Sequence, residues 1–362
     1  MKIGFFGSSL VSSYWNGAAT YYRGLLRAVA ALGHEISFYE PDAFDRQRHR
    51  DIPDPDWARV IVYPATTEGW QRALGHAAQD ADLLIKASGV GVFDVELECC
   101  VPAARSPGAL AVYWDVDAPA TLDAVAADPT HHLRRVISDY DIVLTYGGGD
   151  PVVRAYEQLG ACRCVPIYNA LDPDTHFPVP AQPQFACDLG FLGNRLPDRE
   201  ARVDEFLLEP ARRLPQRSFV LGGAGWESKS LPANVRAPGH IPTADHNAFF
   251  CSSTATLNIN RESMARYGFS PPTRIFEAAG TGACIITDAW EGIELFLDPG
   301  REILVATDGA AVTETMNALS AAAARHIGQA ARARVLAQHT YAHRARQFVE
   351  ILDLTTRREA AE

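Results

Sequence analysis

Apolar residues along this chain fall into short runs, and the runs alternate with stretches of helical spacing. Residues 2–6 predict a strand, and residues 7–13 the loop at its carboxyl end. Over residues 18–32 the apolar positions Tyr22, Leu25, Leu26, Val29 and Leu32 fall on one side of a helix, which Gly33 closes. Residues 35–39 form the next strand. A strand, a helix and a strand in that order open a doubly wound parallel sheet. Further strands are predicted at 83–86, 110–114, 142–146 and 164–167. Gly, Pro and Asp in residues 88–91, 115–119 and 147–150 then supply loops that line one edge of the sheet, together with residues 7–17.

Residues 168–178 read as a hinge, because Pro173 and Pro178, followed by Pro180 and Pro183, break periodic structure. Beyond it the alternation resumes, with strands at 187–193 and 218–221, a strand end at His240-Ile241-Pro242, and an apolar run at 255–259. A helix is predicted at 200–208 and a polar loop at 260–268. The next helix opens after Pro271 and Pro272, carries Ile275, Phe276, Ala278 and Ala279 on one side, and is broken by Gly280 and Gly282. Residues 283–287 are a buried strand, and 291–296 and 300–305 finish the sheet. One Ala-rich helix is expected over 311–337 and a last one over 342–354, with a frayed tail from Thr355. The division is 1–170, 171–340 and a C-terminal helix in 341–362 that returns to the first domain.

A chain of 362 residues suffices for two such domains, each with a sizeable core. Its 47% hydrophobic and 21% charged residues describe a globular protein, and the formal charge of −11 argues against nucleic acid or an anionic membrane as the main partner. No apolar run approaches the roughly 18 residues of a membrane span, and the N-terminus lacks a signal-peptide pattern. Seven cysteines without zinc spacing read as buried reduced thiols, so no metal is expected and the compartment is taken as cytoplasmic.

Several residues carry candidate chemistry. The helix start at Pro272, Thr273 and Arg274 presents free N–H groups and a partial positive charge, a natural seat for a diphosphate. Glu277, one turn further in, suits a ribose diol. Gly7 and Ser8 belong to a cleft loop or are turn residues; they lack the glycine pattern of a dinucleotide site. Asp115 and Asp117 fall on one side of a strand end. Asp117 first, and Asp115 second, are candidates for a general base or an acceptor-binding group; helix capping is the alternative. His176 either faces the cleft or is structural.

The stretch from Ser270 to Asp288 resembles the nucleotide-sugar site of glycosyltransferases with the two-domain B fold. The chain looks closest to the CgeB-like group, whose pattern is similar to Arg274–Ala278, Ile285–Asp288, Phe296–Ile303 and His339–Arg344. The likeness is strong over the C-terminal half and general over the N-terminal half. It implies an α/β fold of two Rossmann-like domains facing a cleft, the second binding a nucleoside diphosphate sugar as donor substrate, with UDP the first guess, and the first receiving a small-molecule or glycan acceptor. No further cofactor is implied. By the same resemblance Gly193, Asn194, Arg195 and Arg199 contact the diphosphate, unless Arg195 and Arg199 pair instead with Asp198 or Glu200. Gly223, Gly225 and Ile241 lie near the nucleobase and its sugar. Asn260, Arg261 and Glu262 hold the transferred sugar and phosphate, with Arg261 stabilising the departing diphosphate, unless Arg261 and Glu262 pair with each other. Phe269 stands where many retaining members carry a second Glu. An epimerase-like enzyme and a non-catalytic sugar-binding or surface-assembly protein are the alternatives on this scaffold.

Overall fold

Two parallel sheets follow from this alternation in a computed structural model, which describes residues 1–14 and 16–359. The first unit comprises Met1–Asn169 with the residues from Tyr341, and the second Ala170–Thr340. In the first, β1 (Lys2–Phe6), α1 (Ala19–Ala31), β2 (Glu35–Asp42), β3 (Ala58–Pro64), α2 (Thr67–Ala78) and β4 (Leu83–Ala87) come in turn. They are followed by α3 (Asp94–Ala104), β5 (Leu110–Asp115), α4 (Ala118–Ala127), α5 (Leu133–Val136), β6 (Ile142–Thr145), α6 (Gly149–Gln158) and β7 (Cys164–Pro166). The strand order is β3-β2-β1-β4-β5-β6-β7, with Phe5 opposite Phe38 and Ile85.

The second unit runs β8 (Cys187–Leu192), α7 (Pro197–Val203), α8 (Glu209–Arg213), β9 (Phe219–Gly222), β10 (Val235–Gly239), α9 (His246–Ser252) and β11 (Ser253–Asn258). Then come α10 (Glu262–Tyr267), α11 (Thr273–Thr281), β12 (Ile285–Asp288), β13 (Leu304–Ala306), α12 (Gly309–Ala318) and α13 (Ala321–Gln338). Its order is β10-β9-β8-β11-β12-β13. Both sheets reverse winding direction beside their first strand, the arrangement of a Rossmann-like domain. Leu189, Phe191, Leu221, Leu257 and Ile286 fill the core of the second.

Several elements depart from the sequence expectation. The expected 311–337 helix is two, because Leu319 is extended and the Ser320 hydroxyl caps α13 by accepting from Ala323 N at 3.1 Å. The expected loop 260–268 holds the helix α10. Gly280 lies inside α11, and Gly282, at φ +79°, ends it. Residues 291–296 add no strand to the sheet, which closes on β13 alone. β10 stops at Gly239, short of Ile241. The helix over 197–213 contains a π turn at Asp204–Leu208.

The last helix, α14 (Tyr341–Glu359), belongs to the first unit. It continues past the expected fraying point at Thr355, and residues 360–362 lie outside the described residues. Phe348 packs on Trp114 with ring centres 5.4 Å apart. Arg344 donates to the carbonyl of Tyr168 at 3.2 Å. Gly24 on α1 lies under the Tyr341 ring, where a Cβ would meet it at 2.2 Å. Gly24→Ala is therefore expected to force the two helices apart and cost about 1–3 kcal/mol. A urea midpoint equal to that of the parent would refute this contact.

Candidate functional site

The carboxyl ends of β8 and β11, where the winding reverses, are where such sheets take ligands. Gly193 and Asn194 follow β8, Gly223 and Gly225 follow β9, and α11 begins after β11. Gly193 has no room for a side chain: a Cβ would lie 2.9 Å from Arg274 Nη2 and 3.2 Å from Arg199 Nη1. Gly223, at φ +124°, brings its Cα so close that a Cβ would sit 2.3 Å from the Gly193 carbonyl oxygen. Asn194 accepts from Ala224 N at 3.0 Å and Arg199 donates to the Asn194 carbonyl at 3.1 Å. The two loops are thus one backbone cradle with two guanidinium groups beside it.

Arg274, in the first turn of α11, donates to the Leu192 carbonyl at 2.6 Å and to Asn258 Oδ1 at 2.9 Å. Its guanidinium also lies over the Phe191 ring, 5.0 Å from the centre. Burial first, and Arg199 second, push it down to about 9, against the pull of Glu277 and Asp288. It stays charged at neutral pH, and among the described residues it has no ion pair. A half-buried cation beside a second cation favours an anionic ligand. Pro272 precedes the helix with extended backbone and no side chain caps its N–H groups; Thr273 is the first helical residue.

Behind Arg274 lies a polar layer of which the sequence singled out only Asn260 as a site residue. Asp288, fully buried, accepts the Asn260 backbone N–H at 3.1 Å and the Arg202 guanidinium at 2.6 Å. Burial raises the Asp288 carboxyl, and Arg202 and Asn260 oppose that shift. Asn258 donates to Asn260 Oδ1 at 3.2 Å and to Thr287 Oγ1 at 3.0 Å. The Asn260 amide nitrogen is buried and has no partner among the described residues.

Glu277 lies one turn beyond Arg274. The structure brings it together with His176 and His246, the ligating atoms of all three lying within 4.8 Å of one another. Burial lowers the His246 imidazole against the pull of Glu277. Ile241 is buried against Gly222, where a Cβ would meet it at 2.6 Å. His246 was missed by sequence reasoning, and no local pattern marks it.

Some expected roles are corrected by the geometry. Arg195 makes a two-bond pair with Glu200, at 2.8 and 2.7 Å. Lys229 bridges Glu200 and Asp204 in turn. The ion-pairing alternative therefore holds for Arg195, while Arg199 faces the Gly193 cradle. Arg261 is the half-buried N-cap residue of α10, and Glu262 is exposed in its first turn. Phe269 has left-handed backbone at φ +47°, and its amide donates to the Glu291 carbonyl at 2.6 Å. Its ring lies on Gly292, where a Cβ would come within 2.3 Å. A bulky residue held at positive φ is the kind of strain that collects at functional sites.

In the first unit Asp115 is fully buried and its oxygens are occupied. It accepts from Ser88 Oγ at 2.7 Å and from Asp117 N at 2.9 Å, and from the Tyr156 hydroxyl. It is a positioning residue for the loop after β5, not an acceptor contact. Asp117 occupies the N-cap position of α4 but makes no side-chain cap, so the capping alternative does not describe its carboxylate. Gly7 leaves room for the Phe38 ring, which a Cβ would meet at 2.5 Å, and Ser8 bonds Asn16 at 2.8 Å. Both serve packing within the unit. Of the seven thiols, Cys164, Cys187 and Cys284 are buried, while Cys162 is exposed and the other three are half-buried.

Residues 199–350 match the model of a family described as glycosyl transferase-like. No curated protein matches the chain in sequence. Sucrose-phosphate synthase from Thermosynechococcus elongatus is 15% identical, with a TM-score of 0.72 and 100% of both chains covered. HepE of Anabaena, solved with UDP and glucose, is 14% identical at a TM-score of 0.65, over 98% of this chain and 99% of that one. An alpha-glucosyltransferase solved with UDP and a 13-mer DNA is 12% identical at 0.69, over 98% and 99%. At these identities the shared property is the fold. It is that of the two-domain glycosyltransferases, with two Rossmann-like domains.

Proposed function

We propose that this protein is a glycosyltransferase of the CgeB-like group that moves a sugar from a nucleoside diphosphate sugar, UDP-sugar first, to a small-molecule or glycan acceptor. The observation that carries the reading is the Gly193 cradle with Arg199 and Arg274 beside it and Glu277 one helical turn further in. Fixed cations and uncapped helix N–H groups hold a diphosphate and stabilise the charge that develops on it as the sugar departs. Glu277 accepts from the ribose hydroxyls, and the Ile241 backbone lies near the base. Arg261, Asn260 and Glu262 serve the transferred sugar, and Asp117 takes the acceptor proton. UDP in the solved HepE complex supports UDP as the first donor nucleotide to try. No described helix is long and apolar enough to cross a membrane; the cytoplasm is the proposed compartment.

The test is thermal unfolding with UDP, GDP, ADP, TDP and CDP, each with and without chelator. One nucleotide at about 100 times its Kd should add about 2.7 kcal/mol of apparent stability. Glu277→Ala should remove most of that gain and keep the unliganded melting temperature. An unchanged gain in the variant would sink the ribose assignment.

A further inference from the structure

We propose that His176, His246 and Glu277 form a binding site for one divalent transition-metal ion of the zinc or cobalt type. Two imidazole nitrogens and a carboxylate oxygen within 4.8 Å of one another can reach a single ion. Three separate elements deliver them: the turn after Leu171, the first residue of α9, and the second turn of α11. These elements are fixed to each other. Asn247 on α9 donates to the Thr175 carbonyl at 2.9 Å. Gly280 on α11 lies so close to the turn that a Cβ would meet the His176 carbonyl oxygen at 2.9 Å.

One ring nitrogen of His176 is also engaged. His176 Nδ1 is 2.9 Å from the Thr175 hydroxyl. Partners of this kind set the tautomer and ring orientation and leave the second nitrogen for an ion. Three protein ligands leave at least one position for water or another ligand. The nitrogen-rich set suits zinc or cobalt, whereas magnesium prefers six oxygens. Metal binding rests on these side chains alone, independently of the donor reading, although a bound ion would occupy the carboxylate that the donor reading gives to ribose.

The experiment is a Co2+ titration of the chelator-treated, nucleotide-free full chain, followed by visible absorption. One Co2+ per chain is expected, displaced by Zn2+ and not by Mg2+. His246→Ala and His176→Gln should each weaken Co2+ binding by on the order of tenfold or more, with melting curves checked by circular dichroism. Glu277→Gln is the third variant should either histidine change prevent folding. Absence of a visible band at saturating Co2+, or a band unaltered in every folded variant, would overturn the site. Binding of the five nucleoside diphosphates is measured separately, so a chain that binds Co2+ and none of them would keep this site and refute the donor reading.

Discussion

Arg274→Ala is expected to weaken UDP binding by on the order of 100-fold, about 2.7 kcal/mol, because it removes a desolvated charge-assisted donor. The same change should alter the stability of the unliganded protein far less, by about 1 kcal/mol or below. The Leu192 carbonyl and Asn258 each lose a donor, at 2.6 and 2.9 Å. Against that loss, a half-buried cation beside Arg199 disappears, and its desolvation cost with it. Arg274→Lys should sit between the two, since an ammonium keeps the charge but lacks the planar fork that bonds Leu192 and Asn258. Calorimetry with UDP and a urea melt on the three proteins separate the effects. Retained UDP affinity in the alanine variant would remove Arg274 from the site.

Asp115→Ala should be the most damaging single change in the first unit, at about 4 kcal/mol out of the roughly 5–15 kcal/mol typical of a folded protein. It strands the Ser88 and Tyr156 hydroxyls and the Asp117 amide in a buried place. Asp115→Asn keeps one acceptor and should cost about half as much. Burial dominates and holds the Asp115 carboxyl above its usual value. The folded form then binds a proton more readily than the unfolded one, so this residue's contribution falls as pH rises through that higher value. The asparagine variant should flatten that slope. Asp117→Asn, by contrast, should melt like the parent and lose sugar transfer. Normal stability in Asp115→Ala would show that the carboxylate is dispensable to the loop.

The difference between the two aspartates shows what a linear pattern conveys. Alternation along a strand places both carboxylates on one side, and it says nothing of Ser88 and Tyr156, which arrive from other elements. The central strands were legible because burial on both faces produces continuous apolar runs such as Leu110–Trp114. β3 was not read: it lies at the sheet edge after the Pro53–Asp56 stretch, and only Tyr63 in it is fully covered. Arg274 and Glu277 were legible from helix spacing and resemblance. The sequence left Arg195 between a phosphate and an acidic partner, and the structure pairs it with Glu200, five residues along the same segment. His246 left no mark at all, since the groups that give it meaning come from a turn and a helix distant in sequence.

The second unit begins and ends at one point: Leu171 N donates to the His339 carbonyl at 2.8 Å, and Leu171 bridges Thr340. It is therefore a closed insert in the first unit, whose last helix follows Thr340. During synthesis the strands β1 to β7 emerge first, yet α14, which covers Gly24 and Trp114, emerges only after the whole insert. The inserted unit has all of its own strands available before its host is complete. The part of the protein made first is the part that finishes folding last, and it waits with the surface beneath α14 uncovered.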